Sequence, residues 1–256
     1  MKWRDIAVVP YLCQGAVGFV ATLVIWQLMS ALINRPVFPP PSQVLVVFFS
    51  QIGGELGVHL LVSGGRVLAA IAVSVLTAVP AGLGLGQIRA LNKFFAPLIY
   101  IVYPIPKIVF LPVILVLFGS GDGSKVLLVG LILFFQMLVV VRDQAAQLRP
   151  ELITSVRSMG AGRRALFRFV YLPACVPAVI TALRVSIGTA IAVLFIAETY
   201  ATNSGLGYYI VVDSWGALRY TDMYAGVLAM SLLGLALYFL VDWLDRRLCR
   251  WREGTE

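Results

Sequence analysis

One histidine and three cysteines are all the imidazole and thiol that this 256-residue chain offers to a zinc-type site or a disulfide. Cys13, Cys175 and Cys249 are odd in number and far apart, which argues against both a disulfide framework and a clustered metal site. His59 has no second histidine with which to share a zinc ion and reads as an interfacial side chain. Charge is scarce as well. Only 12% of residues are Asp, Glu, Lys or Arg against 60% hydrophobic, which leaves no room for a large soluble domain. No G-x-x-x-x-G-K-[ST] sequence occurs, so the chain has no Walker route to ATP hydrolysis. The glycine-rich run from Gly119 to Lys125 follows no strand and reads as a tight turn. The spans do not repeat internally, which weakens the case for an ion-coupled secondary transporter built from inverted repeats. An intramembrane enzyme has less support still, because His59 has no acid or nucleophile beside it in a motif.

What the chain does have is apolar runs of membrane-crossing length. A span needs about 20 apolar residues at about 1.5 Å each. That rule places spans near 15–33, 67–86, 98–118, 125–141, 175–197 and 223–241, with an early start for the second one between Gly57 and Gly64. The first run is long and lacks a small-x-small cleavage site, so it reads as a retained helix rather than a signal peptide. With the N-terminus inside, fourteen Lys and Arg residues fall in cytoplasmic segments, and only Arg35, Lys125 and Arg219 fall outside. This positive-inside bias predicts six spans with both termini cytoplasmic. The net charge of +8 is then a topology signal and gives no reason to expect nucleic acid as a partner.

Three segments between the apolar runs stand out. NRPVFPPPS ends the first span, and Ser42 reads as the N-cap of a short interfacial helix, SQVLVVFFSQI. In the third span, YPIPKIVFLP places Pro104, Pro106 and Pro112 around Lys107. Proline removes backbone donors and disfavours helix in the residue before it. Broken backbone at membrane depth is tolerated only within protein or along a water-filled cavity, so this stretch points to a pathway. The third segment, 142–173, is basic, helix-prone and without lysine. Pro150 begins a short helix whose Leu152, Val156 and Met159 share one face. Gly160 stops that helix, and a basic stretch with Arg163, Arg164 and Arg168 ends at Leu172–Pro173.

Gly160, nine intervening residues, then Val170, Tyr171, Leu172 and Pro173 resemble the E-A-A-x3-G-x9-I-x-L-P pattern of permease subunits of binding-protein-dependent ABC importers. FPPPSQV, YPIPKIVFLPVILVLFG, PAVITALRVSIGTAIAVLFIAE and SGLGYYI extend the resemblance, over nearly the whole chain, to the sulfonate, nitrate and taurine branch. Thr154, Ser155 and Val156 stand where Glu-Ala-Ala is usual, and Glu151 lies three residues early. The resemblance implies an all-α type I permease fold, in one polytopic domain, in a bacterial inner membrane. It also implies a coupling loop at 142–173 that docks on a separate ATP-hydrolysing subunit, present in two copies and holding the ATP and Mg. This chain itself would bind no cofactor. The coupling residues would be Glu151, Leu152, Thr154, Ser155, Val156, Met159, Gly160, Arg163, Arg164, Leu172 and Pro173. A second permease copy or a homologue, and an extracytoplasmic binding protein, complete the implied complex.

Ionisable residues inside a membrane are functional candidates. The candidates for the path are Tyr103, Pro104, Pro106 and Lys107 with Arg184 and Glu198, the last two at opposite depths of the fifth span. Lys107, Arg66 and Arg184 together would favour a small anion such as a sulfonate, taurine or nitrate. Tyr100, Tyr103, Phe110, Tyr200 and Trp215 would suit a heterocyclic vitamin or vitamin precursor.

Overall fold

In hydrocarbon every backbone N–H and C=O must find its partner inside the chain, which leaves the helix as the form available to long apolar segments of this kind. The computed structural model describes residues 4–200 and 202–250, and among them there are helices and connecting loops but no strand. Side-chain surroundings are described for 17, 18 and from 20 onward, apart from 163 and 201. Cys13 and the side chain of Arg163 therefore lie outside the described side chains.

Helix α1, Arg4–Ile33, contains the first predicted span. Its end is tied to the proline segment after it. The Trp26 indole donates to the Pro39 carbonyl at 3.1 Å, and the Ser30 hydroxyl donates to Phe38 at 2.9 Å. Helix α2, Pro41–Gln51, is the expected interfacial helix with a different start. Pro40 is the N-cap, and Pro41 opens the helix, where its fixed φ and missing N–H cost nothing. Ser42 is therefore inside the first turn.

Four helices are long and apolar enough to cross a membrane unbroken: α3, Glu55–Gln87; α6, Asp122–Ala146; the helix that contains α9, Leu172–Thr199; and α11, Tyr220–Leu248. The second span does start early, at Glu55. The expected third span is bent rather than continuous. Helix α4, Arg89–Val102, meets the segment Lys107–Phe118, a 3₁₀ turn over Lys107–Phe110 followed by helix α5, Leu111–Phe118, at 83° across a break that holds Pro104 and Pro106. Helix α7, Pro150–Ser158, is a short helix off the bundle, and α8, Arg163–Leu166, leads back to it. The basic lead-in does not end at Leu172–Pro173. It passes through a wide π-type stretch, Phe167–Tyr171, into α9, and Pro173 is tolerated because it sits in the first turn of α9. Helix α10, Leu206–Tyr208, and a second π-type stretch, Tyr209–Trp215, complete the connection to α11.

The main apolar cluster lies between α3, α6 and α9. Small residues let α3 and α6 approach closely, as membrane helices do when apolar surface is on every side. A Cβ added at Gly82 would stand 2.8 Å from the Val141 Cβ, and one at Gly86 would stand 2.6 Å from the Ala145 Cβ. Across the same seam the Ser74 hydroxyl lies 2.8 Å from the Gly130 carbonyl. A second cluster seats Val44 and Phe48 of α2 against Leu206, Tyr209, Ala225 and Ala229. A valine at Gly86 overpacks the seam and is expected to cost about 1–3 kcal/mol. Gly84→Ala, where an added Cβ meets nothing within 4 Å, is expected to be near neutral. Thermal unfolding of the detergent-purified chain distinguishes the two, and equal melting temperatures would refute the close α3–α6 seam.

Candidate functional site

Two constructions stand out, a buried polar node at one end of the bundle and an uncovered helix at the other. The end bearing Glu55, Asp122 and Thr199, which the charge bias assigns to the outside, is called the outer end below.

At the outer end the Arg66 guanidinium is 4% exposed and uses all five of its N–H donors. Nη1 donates to Glu198 Oε1 at 2.7 Å and to the Ser204 carbonyl at 2.8 Å. Nε and Nη2 reach Asp122 Oδ1 at 2.9 and 2.5 Å, and Nη2 also donates to the Ser204 hydroxyl at 2.9 Å. Glu198 is fully buried and accepts from the Ser63 hydroxyl and from the Gly207 N–H at 3.0 Å. Ser63 in turn accepts the Leu206 N–H at 2.8 Å, and His59 Nδ1 accepts the Gly205 N–H at 3.0 Å. The loop that closes this node has to be glycine-rich. Gly205 has φ +108°, and a Cβ there would stand 2.6 Å from Arg66 Nη1, while one at Gly207 would stand 2.7 Å from the Glu198 Cβ. His59 is thus a buried acceptor packed on Tyr208 and Tyr209 rather than an interfacial side chain. The tight turn at Gly119–Lys125 does more than reverse the chain, because it delivers Asp122 to Arg66. Lys125, expected outside, is buried and donates to the Ser120 carbonyl. Beside the node opens a polar cavity of about 760 Å³, with Asp122, Asn203, Ser204 and Tyr208 in its wall.

In the broken span, Lys107 is buried and its ammonium donates to the carbonyls of Val102, Tyr103 and Ile105 at 3.1, 2.6 and 3.1 Å. Val102 ends α4, and the residue four further on is Pro106, which has no N–H to give it, so the lysine gathers the carbonyls of a helix that the sequence forces to stop. The rings of Tyr103 and Phe135 lie 5.3 and 4.9 Å from the nitrogen. Tyr103, Pro104 and Pro106 are exposed at the bend.

Arg184 lies between α9 and α11, paired with Asp242 at 3.2 Å and Asp245 at 3.0 Å. Arg184, Glu198 and Lys107 each have different partners. Of the three cations expected to favour an anion together, Arg66 and Arg184 pair with carboxylates and Lys107 donates to backbone carbonyls, each in a different place.

At the inner end, α7 buries none of its residues. Leu152 and Met159 are 51% and 78% exposed, with Val156 half-buried between them. Glu151, Thr154 and Ser155 are exposed, and the Thr154 hydroxyl donates back to the Pro150 carbonyl. Gly160 takes φ +84°, its N–H bonds the Arg157 carbonyl at 2.9 Å, and Ala161 reaches the Val156 carbonyl at 3.4 Å. This is a left-handed helix stop of the kind glycine favours. Arg164 is exposed, and Leu172 and Pro173 stand at the entry to α9.

Ser63, Asp122, Ser204, Gly205 and Gly207 are members of the outer node that sequence reasoning passed over. Two signals were available. An arginine and a glutamate in separate apolar runs each require a partner, and two glycines two positions apart just beyond a span's end mark a close approach.

The comparisons with known proteins agree with this architecture. A family model described as the inner membrane component of binding-protein-dependent transport systems matches residues 74–250. The taurine transport system permease protein TauC of Escherichia coli (strain K12) is 30% identical over the whole of this chain and 95% of its own length. The formylaminopyrimidine transport permease protein ThiX of Halalkalibacterium halodurans is 25% identical over 92% of this chain and 94% of its own. A crystal structure of a bacterial alginate ABC transporter with its periplasmic protein contains a chain that superposes with a TM-score of 0.59 at 15% identity, covering 96% of this chain and 97% of that one.

Breaking the outer node weakens several buried hydrogen bonds at once. Glu198→Gln leaves Arg66 with Asp122 as its one carboxylate and gives the Ser63 hydroxyl and the Gly207 N–H a weaker acceptor, so it is expected to cost about 1–3 kcal/mol. Gly205→Ala is expected to lower the melting temperature as well, since it adds a clash to a left-handed φ. Thermal unfolding in detergent measures both, and a Glu198→Gln protein that melts with the wild type would contradict the node.

Proposed function

Because this chain belongs to the family of binding-protein-dependent transport system inner membrane components, a multi-pass permease family of ABC importers, we propose that it forms the solute path and takes its drive from a separate ATP-hydrolysing subunit through α7. One observation carries the coupling part of this reading. Helix α7 holds an apolar face that the rest of the chain leaves uncovered, and its end is fixed by a left-handed glycine. Such a face suits the helix-in-groove mode of recognition, with Leu152, Val156 and Met159 as anchors. Thr154 and Ser155 are exposed beside them and suit polar contacts at the groove's rim. Closure of two ATPase subunits around ATP and Mg would carry each α7 as a rigid body. Leu172–Pro173 would pass that motion into α9, and the membrane cavity would switch between inward- and outward-facing states. One such helix per chain, against a pair of ATPase subunits, calls for two permease copies or a copy and a homologue. In this reading both termini are cytoplasmic, as the positive-inside bias favours, and an extracytoplasmic binding protein meets the outer loops.

For the solute, a small sulfonate of the taurine kind is supported by the similarity to TauC along the whole chain. Fixed charge in the path does not add to that support, since Arg66, Lys107 and Arg184 are engaged within the chain. A heterocyclic vitamin precursor is the second reading. It is favoured by the relative ThiX and by the aromatic side chains Tyr100, Tyr103, Tyr200 and Trp215, all exposed at 45% or more. In either case selection falls largely to the binding protein.

Val156→Asp places a charge in the proposed groove and is expected to cost at least about 2 kcal/mol, or about thirtyfold in affinity for the ATPase subunit. Gly160→Pro forces φ from +84° to about −65° and should uncouple hydrolysis from uptake. Copurification and uptake in proteoliposomes measure these effects. An undiminished complex with Val156→Asp, or normal uptake with Gly160→Pro, would sink the coupling role.

A further inference from the structure

We infer that the chain carries a built site for one anionic phospholipid, with the phosphate on Arg89 and Arg157 and an acyl chain in an apolar slot beneath α4. Two cavities meet along the Pro80–Gly84 face of α3. The first, about 440 Å³, lies between α3, α4 and α6 and is walled by carbon, with Leu85, Phe95, Ile99, Phe134 and Leu138 among its lining. The second, about 500 Å³, lies at the inner end, where Gln87, Arg89, Arg157, Phe167 and Tyr171 surround it. The Gln87 amide donates to the Ala145 carbonyl there, so this mouth sits level with the inner ends of α3 and α6.

The charge at the mouth is the second observation. Arg66, Arg142, Arg184, Arg219 and Arg246 each pair with a carboxylate. Among the described residues, neither Arg89 nor Arg157 forms an ion pair, although both line one cavity. Two uncompensated arginines at an apolar opening suit a phosphodiester with a hydrocarbon tail. A free phosphate would leave the apolar slot empty, and a zwitterionic lipid would bring a head-group cation up against the two arginines along with its phosphate.

The site also reaches α7. Arg157 follows Leu152 by five residues, which at about 100° per residue puts it about 140° round the helix from that anchor. A lipid held there would touch α7 from the membrane side, opposite the face proposed for the ATPase subunit. Its leaflet and its effect on coupling rest on the topology and coupling proposed above, but the binding itself does not.

Native mass spectrometry of the full-length chain, delipidated in detergent and titrated with dioleoylphosphatidylglycerol, tests the inference without any ATPase subunit. The wild type is expected to hold one tight adduct and to bind phosphatidylcholine at least about tenfold more weakly. Arg89→Gln with Arg157→Gln should weaken phosphatidylglycerol about thirtyfold. Gly84→Phe, directed into the open space where the cavities meet, should remove the tight adduct with both arginines intact. Should that variant fail to fold, Ala81→Leu narrows the same slot. Inorganic phosphate at millimolar concentration should not displace the lipid. Wild-type affinity in the arginine pair variant, an unchanged adduct in a folded slot variant, or equal binding of phosphatidylcholine would each overturn the site. Displacement by inorganic phosphate would overturn it in favour of a soluble anion.

Discussion

A guanidinium held inside a membrane protein has to be satisfied completely, and Arg66 is. Its five donors fix where α6 begins, where α9 ends and how the chain returns from α9 to α11. Once Asp122, Glu198 and Ser204 are committed to it, the loop that closes over them has room only for glycine at 205 and 207. The local geometry of the outer end therefore follows from one buried charge. A pair of this kind adds little net stability over an apolar replacement, but losing one partner is costly. Its effect is to tie three helices and a loop into one arrangement.

The same economy recurs elsewhere. Lys107 closes the end of α4 that its neighbouring prolines leave open, and Arg184 joins α9 to α11 through two aspartates. Intramembrane cations here organise backbone and helices, and each of these three is engaged by groups of the chain itself. That arrangement fits a permease that relies on an external protein for selection. The inner end is built differently. Helix α7 buries none of its residues and is separated from α8 by a glycine stop. A tied outer end and an uncovered inner helix suit the proposed lever, in which force enters at α7 and reaches the path through α9.

Much of this was legible in the sequence, and for physical reasons. Apolar run length located the helices, because the membrane sets that length. Pro150 and Gly160 marked both ends of α7, because their backbone restrictions act locally. Other features needed the third dimension. The 83° bend could be read only as a break, since prolines say where a helix stops and not which way the chain turns. Pro173 looked like a terminus but lies inside a continuing helix, because a π-type stretch precedes it. The outer node was missed because Ser63, Asp122 and Ser204 are ordinary polar residues until distant segments bring them to Arg66. Arg66, Lys107 and Arg184 were grouped by charge, and the structure separates them by partner.

The central claim is that α7 is the surface through which another chain drives this one. A photo-crosslinking amino acid in place of Met159, which is 78% exposed, tests it in membranes of cells that make the whole transporter. The account predicts a light-dependent adduct whose second component, identified by mass spectrometry, is an ATP-hydrolysing subunit. The same probe in place of Leu218, 67% exposed at the opposite end, should give no such adduct. A membrane-inserted chain that crosslinks at position 159 only to lipid, or captures the ATPase equally from position 218, would contradict it.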